Sequence, residues 1–141
     1  MTDPSPAWEQ LHEGDAMTPL PRHPAPARVA VFLQATGNRV AIFRDPEAAA
    51  RAGLPGLIIP GPMNRAYIYQ AVRRWAGPGV RIARLQVAHR RPTLQGAQLL
   101  VQGTVTRTYE EAGERRLDLE CWIEDDSGQR TTRGAATLVF P

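Results

Sequence analysis

Three consecutive segments in the C-terminal half of the chain alternate between apolar and polar residues. They span residues 81–92, 97–110 and 115–125, and a fourth apolar-rich segment covers residues 128–140. The third segment shows the pattern most clearly, with apolar positions at Leu117, Leu119, Cys121 and Ile123. A period of two indicates a strand that buries one face. These segments therefore predict a meander of long antiparallel strands joined by turns, in which the second strand has Leu99, Val101, Val105 and Tyr109 on its apolar face.

One long helix is predicted ahead of these strands. Pro62 occupies the position of a first helical residue, and Gly77-Pro78-Gly79 prevents continuation. The apolar residues between them recur three and four positions apart and cover most of the circumference: Met63, Ala66, Tyr67, Ile68, Ala71, Val72 and Trp75. Such a helix is buried, and here it can bury itself only against the apolar face of the strands. The predicted fold class is α+β, a curled antiparallel sheet wrapped around one long central helix, known as the hot-dog fold.

The 141 residues are enough for a single domain. Residues 1–27 contain six prolines and predict an irregular lead-in, and residues 28–141 form the domain. The apolar run at residues 28–35 fits a strand or a buried helix turn, since periodicity does not separate the two. Asp45-Pro46-Glu47 predicts the start of a short helix that ends at Gly53.

Composition excludes several classes of function. The net charge is +3, but the basic residues are spread along the chain and form no basic patch with interleaved aromatic residues, so no nucleic-acid partner is expected. The spacing of His, Cys, Asp and Glu predicts no metal site, and we expect no cofactor. No apolar run reaches the ~18 residues of a membrane span, and no secretion signal is visible. We expect no membrane contact and a cytoplasmic location.

Several short motifs, taken together and in order, resemble the MaoC-like (R)-specific enoyl-CoA hydratase/dehydratase family. They are Trp8-Glu9-Gln10-Leu11 with Gly14-Asp15, the segment from Asp45 to Gly56, Ile58-Ile59-Pro60-Gly61, Arg91-Pro92 with Gly96, Gly103-Thr104-Val105, and Gly134-Ala135-Ala136. The resemblance covers nearly the whole chain and implies a single hot-dog domain.

The resemblance implies a chemistry that this chain carries only in part. The family uses an Asp, and a His five positions later, to activate a water that adds to an enoyl thioester, while the N–H of a glycine at the helix start polarises the carbonyl. Gly61 matches that glycine, whereas Asn38 and Phe43 stand at the Asp and His positions. Phenylalanine transfers no proton, and a carboxamide is no base near neutral pH. No catalytic pair is intact, and the implied substrate-binding residues are Gly61, Asn38, Phe43, Pro60 and Asn64.

The function stays open between alternatives. The favoured hypothesis is a non-catalytic subunit that binds an acyl-CoA or acyl-carrier thioester and forms a homodimer, or a heterodimer with another hot-dog chain. The alternative is an enzyme with a shifted site, which uses the Gly61 N–H and His89 or a carboxylate. Such an enzyme would be an enoyl-CoA hydratase, which belongs to the lyases. A thioesterase is the less favoured option. A third possibility is a homodimer whose ligand is unrelated to thioesters. His89 shares a predicted strand face with Leu85 and Val87, where a structural role is the commoner one.

Overall fold

The computed structural model describes residues 5–141, which form one antiparallel sheet and a set of helices. The helices are α1 (Pro26–Thr36), α2 (Pro46–Arg51) and α3 (Gly61–Ala76), with 3₁₀ turns at Trp8–Gln10 and Ala41–Phe43. The strands are β1 (Leu20–Arg22), β2 (Arg81–His89), β3 (Leu99–Glu111), β4 (Glu114–Glu124) and β5 (Arg130–Phe140). The bounds of α3 and of the four long strands confirm the elements predicted from periodicity.

The strands lie in the order β1-β3-β4-β5-β2. β3, β4 and β5 form the predicted meander, but β2 does not continue it. β2 pairs with β5 at the far side of the sheet, with Leu85 opposite Ala136 and His89 opposite Thr132. The expectation that β2 belongs to a simple meander was therefore wrong, and residues 90–98 carry the chain back across to β3. As a result β2 is an edge strand, with β5 as its only neighbour among residues 5–141.

The N-terminal part of the chain is more ordered than its prolines suggest. Residues 20–22 form β1, which pairs with Leu99–Val101 of β3 and covers the opposite edge of the sheet. The apolar run at residues 28–35 belongs to α1, which buries Val29 and Leu33. The description of residues 1–27 as irregular was thus too simple for the segment that holds β1, while residues 1–4 lie outside the described part of the chain.

α3 lies against the apolar face of the sheet, as predicted. Its buried residues include Ile68 and Val72, both fully buried, and they join Val105, Leu117 and the other inward strand residues in one core. Gly134 of β5 allows the close approach, because a Cβ at that position would lie 3.3 Å from Ile68 Cδ1. Because Gly134 has no side chain, the buried helix packs closely on the sheet. This packing fixes the position of the first turn of α3.

A β-bulge in β3 explains one error in the predicted strand faces. The alternation placed Tyr109 with the inward residues Leu99 and Val105. The register shifts between Val105 and Arg107, and an extra residue there turns the following side chains over. Tyr109 consequently lies on the outer face of the sheet, where its hydroxyl donates to Asp118 Oδ1 at 3.1 Å.

No helix within residues 5–141 has both the length and the apolar character needed to cross a membrane.

Candidate functional site

A cleft of about 360 Å³ opens at the first turn of α3. One wall comes from the 3₁₀ turn and the strand-like residues before α3, and the other comes from the end of β2 and the residues that follow it. Its lining residues are Phe43, Ile58, Ile59, Gly61, Asn64, His89, Arg90, Arg91, Pro92 and Thr93. The structure therefore brings four sequence-predicted site residues together: Phe43, Gly61, Asn64 and His89.

Gly61 is the first residue of α3, and its backbone N–H is free. Pro60 is the N-cap residue, and its carbonyl accepts from Met63 N at 3.0 Å and from Asn64 N at 3.4 Å. Pro62 has no N–H to offer, and no residue from 5 to 141 accepts a hydrogen bond from the Gly61 N–H. The positive end of the helix dipole also lies at Gly61. Gly61, which lines the cleft, therefore carries one backbone donor that no residue from 5 to 141 uses.

The imidazole of His89 lies directly over Gly61. A Cβ placed on Gly61 would be 2.8 Å from His89 Nε2 and 3.3 Å from its Cδ2. His89 is the last residue of β2, and the pairing of β2 with β5 fixes its backbone. The predicted shared face is confirmed, since Leu85 and Val87 pack on the core next to α3. His89 therefore lies at the start of α3 beside Gly61, the two groups that the shifted-site alternative combines.

Asn64 adds a buried polar atom to the same cleft. The residue is only 4% exposed, and its Oδ1 has no hydrogen-bond partner within residues 5–141. A buried carboxamide oxygen normally accepts a hydrogen bond, because leaving it unsatisfied costs about 1–3 kcal/mol. Asn64 lies one helical turn after Gly61, so both groups belong to the end of the helix that faces the cleft. The unpaired oxygen points to a ligand or water that donates to it.

The apolar ring of Phe43 lines one side of the cleft, and a hydrogen bond holds the Phe43 backbone in place. Gln95 Nε2 donates to the Phe43 carbonyl at 2.8 Å and to the Ile58 carbonyl at 3.1 Å. This single carboxamide ties the 3₁₀ turn to the residues that lead into α3. Phe43 also packs against the core as a partly buried side chain. Gln95 is therefore a positioning residue for this wall.

Asn38 and Pro60 do not line the cleft, unlike the prediction. The side chain of Asn38 is used locally, because its Oδ1 accepts from Val40 N at 3.0 Å in an Asx turn. Its carbonyl accepts from Arg44 at 3.0 Å. Pro60 is buried and acts as the N-cap residue of α3. Asp45, predicted to cap the short helix, does so by accepting from Glu47 N at 3.0 Å.

The charge around the cleft is positive. Arg90 and Arg91 are exposed at its edge, and the residues that line it include no carboxylate. The position of these two arginines depends on the turn that follows β2, so no local pattern in the sequence reveals it. The edge suits an anionic group on a ligand whose other end enters the cleft.

Other reactive groups lie elsewhere or are buried. Cys121 is fully buried in β4, and burial raises the pKa of its thiol to about 12, so it is not a nucleophile near neutral pH. Within residues 5–141, no three His, Cys, Asp or Glu side chains are grouped closely enough to hold a metal ion.

No protein-family model matches the chain, and no curated protein matches it significantly. Solved structures do resemble it. The unliganded R-hydratase PhaJ1 from Pseudomonas aeruginosa has a TM-score of 0.82 at 21% identity, covering 95% of this chain and 84% of its own. The MaoC-like dehydratase from Rhodospirillum rubrum has a TM-score of 0.81 at 21% identity, covering 94% of each chain.

A third similar structure is a complex of two different chains. The ChsH1-ChsH2 complex from Mycobacterium tuberculosis contains a chain with a TM-score of 0.81 at 15% identity, covering 92% of this chain and 98% of its own. Identities this low show a shared fold. The curled five-stranded sheet, the buried helix and these likenesses confirm the predicted architecture: this chain has the hot-dog fold of the MaoC-like dehydratases and (R)-hydratases.

Proposed function

We propose that the protein binds an acyl thioester in the cleft at the start of α3 and acts as a partner subunit without the proton-transfer pair of an enoyl-CoA hydratase/dehydratase. The unpaired N–H of Gly61 at the end of a buried helix carries the proposal. A thioester carbonyl placed there accepts a hydrogen bond that the helix dipole strengthens. The carboxamide of Asn64 offers a second polar contact one turn away.

The composition of the cleft fits this class of ligand. Phe43, Ile58 and Ile59 provide apolar surface for an acyl chain, and Arg90 and Arg91 provide positive charge for the phosphates of coenzyme A or a carrier arm. Phe43 fills the position of an imidazole with a ring that cannot move a proton. Losing one general acid or base commonly costs about 10²–10⁴-fold in rate. We therefore expect ligand binding without hydration at the rate of a complete site.

The open edge of the sheet supports assembly with a second chain. β2 has no neighbour on its outer side among the described residues, and unpaired edges are normally covered. His89 ends this strand, so a partner strand added along β2 would border the cleft. A homodimer or a heterodimer with another hot-dog chain is the proposed assembly, and one similar structure is itself a complex of two chains.

A decisive experiment measures binding and chemistry separately. Calorimetry with a non-hydrolysable acyl-CoA should give saturable binding, while the purified chain should not hydrate crotonyl-CoA or longer enoyl-CoAs. Mass spectrometry of the natively purified protein should reveal any second hot-dog chain. An absence of acyl-CoA binding in both the purified chain and its native assembly would refute the proposal.

One observation favours a second candidate, a shifted catalytic site. His89 Nε2 lies next to Gly61, where it could take a proton from water as the water oxygen bonds to the β-carbon, and return a proton to the α-carbon. The same imidazole could activate water for thioester hydrolysis. His89→Gln should abolish any hydration or hydrolysis the chain shows. His12→Gln is the matched control, since His12 is exposed and outside the cleft.

A further inference from the structure

A second groove, of about 850 Å³, separates α1 from α3 and shares no lining residue with the cleft. Its volume lies within the range of small-molecule sites. We name it the α1–α3 groove, and it is lined by Pro21, Arg22, His23, Ala25, Arg28, Val31, Phe32, Ala35, Met63, Ala66, Tyr67, Gln70 and Arg74.

Part of the wall of the α1–α3 groove is apolar. Val31 is 66% exposed, which makes it the most exposed of the large apolar side chains described, and it lies beside Phe32 and Ala35 on the same stretch of α1. α3 contributes Met63 and Ala66. An apolar wall that faces water on a helix is unusual unless something packs on it.

Arginines concentrate at this groove without acidic partners. Arg22, Arg28 and Arg74 all line it, and none of the described residues that line it carries a carboxylate. None of the three arginines forms a salt bridge with any residue from 5 to 141. Arg22 is held in place, since its Nε and Nη2 both donate to Gln70 Oε1 at 3.0 Å. The side chains of Arg28 and Arg74 make no hydrogen bond to that part of the chain.

The three guanidinium groups line the same groove as the phenol of Tyr67. Partial burial, together with the charges of Arg74 and Arg28, lowers the pKa of Arg22. Burial raises the pKa of Tyr67, whereas Arg22 and Arg28 act on it in the opposite direction. Like charges gathered without a counter-charge repel each other, and a bound anion relieves that repulsion.

We propose that the α1–α3 groove binds a single-chain fatty acid, with its carboxylate between Arg28 and Arg74 and its alkyl chain along Val31 and Phe32. The planar fork of a guanidinium matches a carboxylate. A carboxylate has two oxygens for these two exposed guanidinium groups, whereas a phosphate head has a third oxygen for which no free guanidinium is left, since Gln70 already accepts from Arg22. The arrangement therefore favours the singly charged head. This ligand site is separate from the acyl-thioester site and does not depend on it.

The test is calorimetry on the full chain with octanoate, decanoate and dodecanoate below their micelle concentrations. Affinity should rise about fourfold for each methylene group that enters the groove. Decanol, which has the same chain without the charge, should bind at least about tenfold more weakly than decanoate. Decyl phosphate and inorganic phosphate test whether the head group alone is recognised.

Two sets of variants place the site. Arg28→Gln combined with Arg74→Gln should weaken decanoate binding about tenfold or more, and Val31→Asp should do the same by adding a negative charge to the wall. Arg133→Gln, on the outer face of the sheet, lowers the net charge by the same single unit as Val31→Asp and should bind as wild type. Circular dichroism checks that each variant is folded.

Several results would overturn the proposal. Equal affinity for decanol and decanoate would remove the role of the arginines, and equal affinity across the chain lengths would remove the role of the apolar wall. Tighter binding of decyl phosphate or inorganic phosphate would assign the groove to phosphate. An equal loss in Arg133→Gln would show a general effect of charge.

Discussion

Replacing Gly61 with alanine tests the position of the proposed acyl-thioester site most directly. The added Cβ would lie 2.8 Å from His89 Nε2, 3.3 Å from Cδ2 and 3.4 Å from Cε1. Unstrained carbon contacts lie near 3.5–4.0 Å, so the imidazole must move by about 1 Å. The backbone of Gly61 itself does not resist the change, because its φ is not in the left-handed region.

Gly61→Ala should lower the stability of the protein slightly and weaken acyl-CoA binding more strongly. Overpacking costs about 1–3 kcal/mol in a tight core, and the exposed ring of His89 can move, so we expect a loss of about 1 kcal/mol. That corresponds to a fall in Tm of about 4 °C for a domain of this size. The methyl group also shields the Gly61 N–H, and loss of that hydrogen bond should weaken binding of a non-hydrolysable acyl-CoA about fivefold to tenfold.

Combining Gly61→Ala with His89→Ala separates the two effects. Removing the imidazole removes the clash, so the double variant should regain the stability that Gly61→Ala loses through that clash. The weaker binding of acyl-CoA should persist. Gly56→Ala is the control, because a Cβ there meets only Leu94 Cδ2 at an ordinary 3.7 Å. Thermal denaturation and calorimetry give both quantities. If Gly61→Ala binds like Gly56→Ala, the carbonyl does not sit at the start of α3.

The remaining predictions concern assembly, chemistry and stability. Light scattering should give a dimer or a multiple of it at micromolar concentration, because β2 is an open edge, and a stable monomer would contradict this. Asn38→Asp with Phe43→His should give only weak hydration of crotonyl-CoA, since the Asn38 side chain is committed to an Asx turn; activity equal to a complete family member would refute that reasoning. Gln95→Leu should speed hydrogen exchange at residues 41–45, because it releases the Phe43 carbonyl, and unchanged exchange would remove its positioning role. Stability should fall as the pH rises above about 9, because the raised pKa of the buried Cys121 means that its thiol ionises first in the unfolded chain; flat denaturation midpoints up to pH 11 would count against this.

Local signals in the sequence predicted the elements well. The start of α3 at Gly61, the cap at Asp45 and the inward face of β4 all depend on residues close together in the chain, and the structure confirms them. The order of the strands depends on pairing between distant segments, so the place of β2 beside β5 had no local signature. The bulge after Val105 was hidden for a related reason, since one extra residue changes the face without changing composition.

Only the site residues that lie on α3 could be predicted from the sequence. Gly61 and Asn64 lie at the cleft because both occupy the first turn of α3. The contact between His89 and Gly61 depends on β2 lying at the edge next to that turn, which no spacing in the sequence reveals. The prediction that Asn38 lines the cleft was wrong. A short polar side chain two residues before a free N–H accepts a hydrogen bond from that N–H, and Asn38 does so with Val40 N instead of reaching the cleft.

The contact between Arg65 and the edge strand bears on how selectively chains can associate. Arg65 Nη2 donates to the Leu85 carbonyl at 3.2 Å, so one acceptor along the outer side of β2 is occupied by the chain itself. A random extended peptide meets an interrupted row of acceptors and a positive charge, both of which discourage indiscriminate strand addition and aggregation. In the proposed assembly, a partner strand would have to displace or accommodate that guanidinium, and a carboxylate in the right register would do so. One arginine can thus lower the tendency of this edge to aggregate while leaving it open to the partner chain of the proposed assembly.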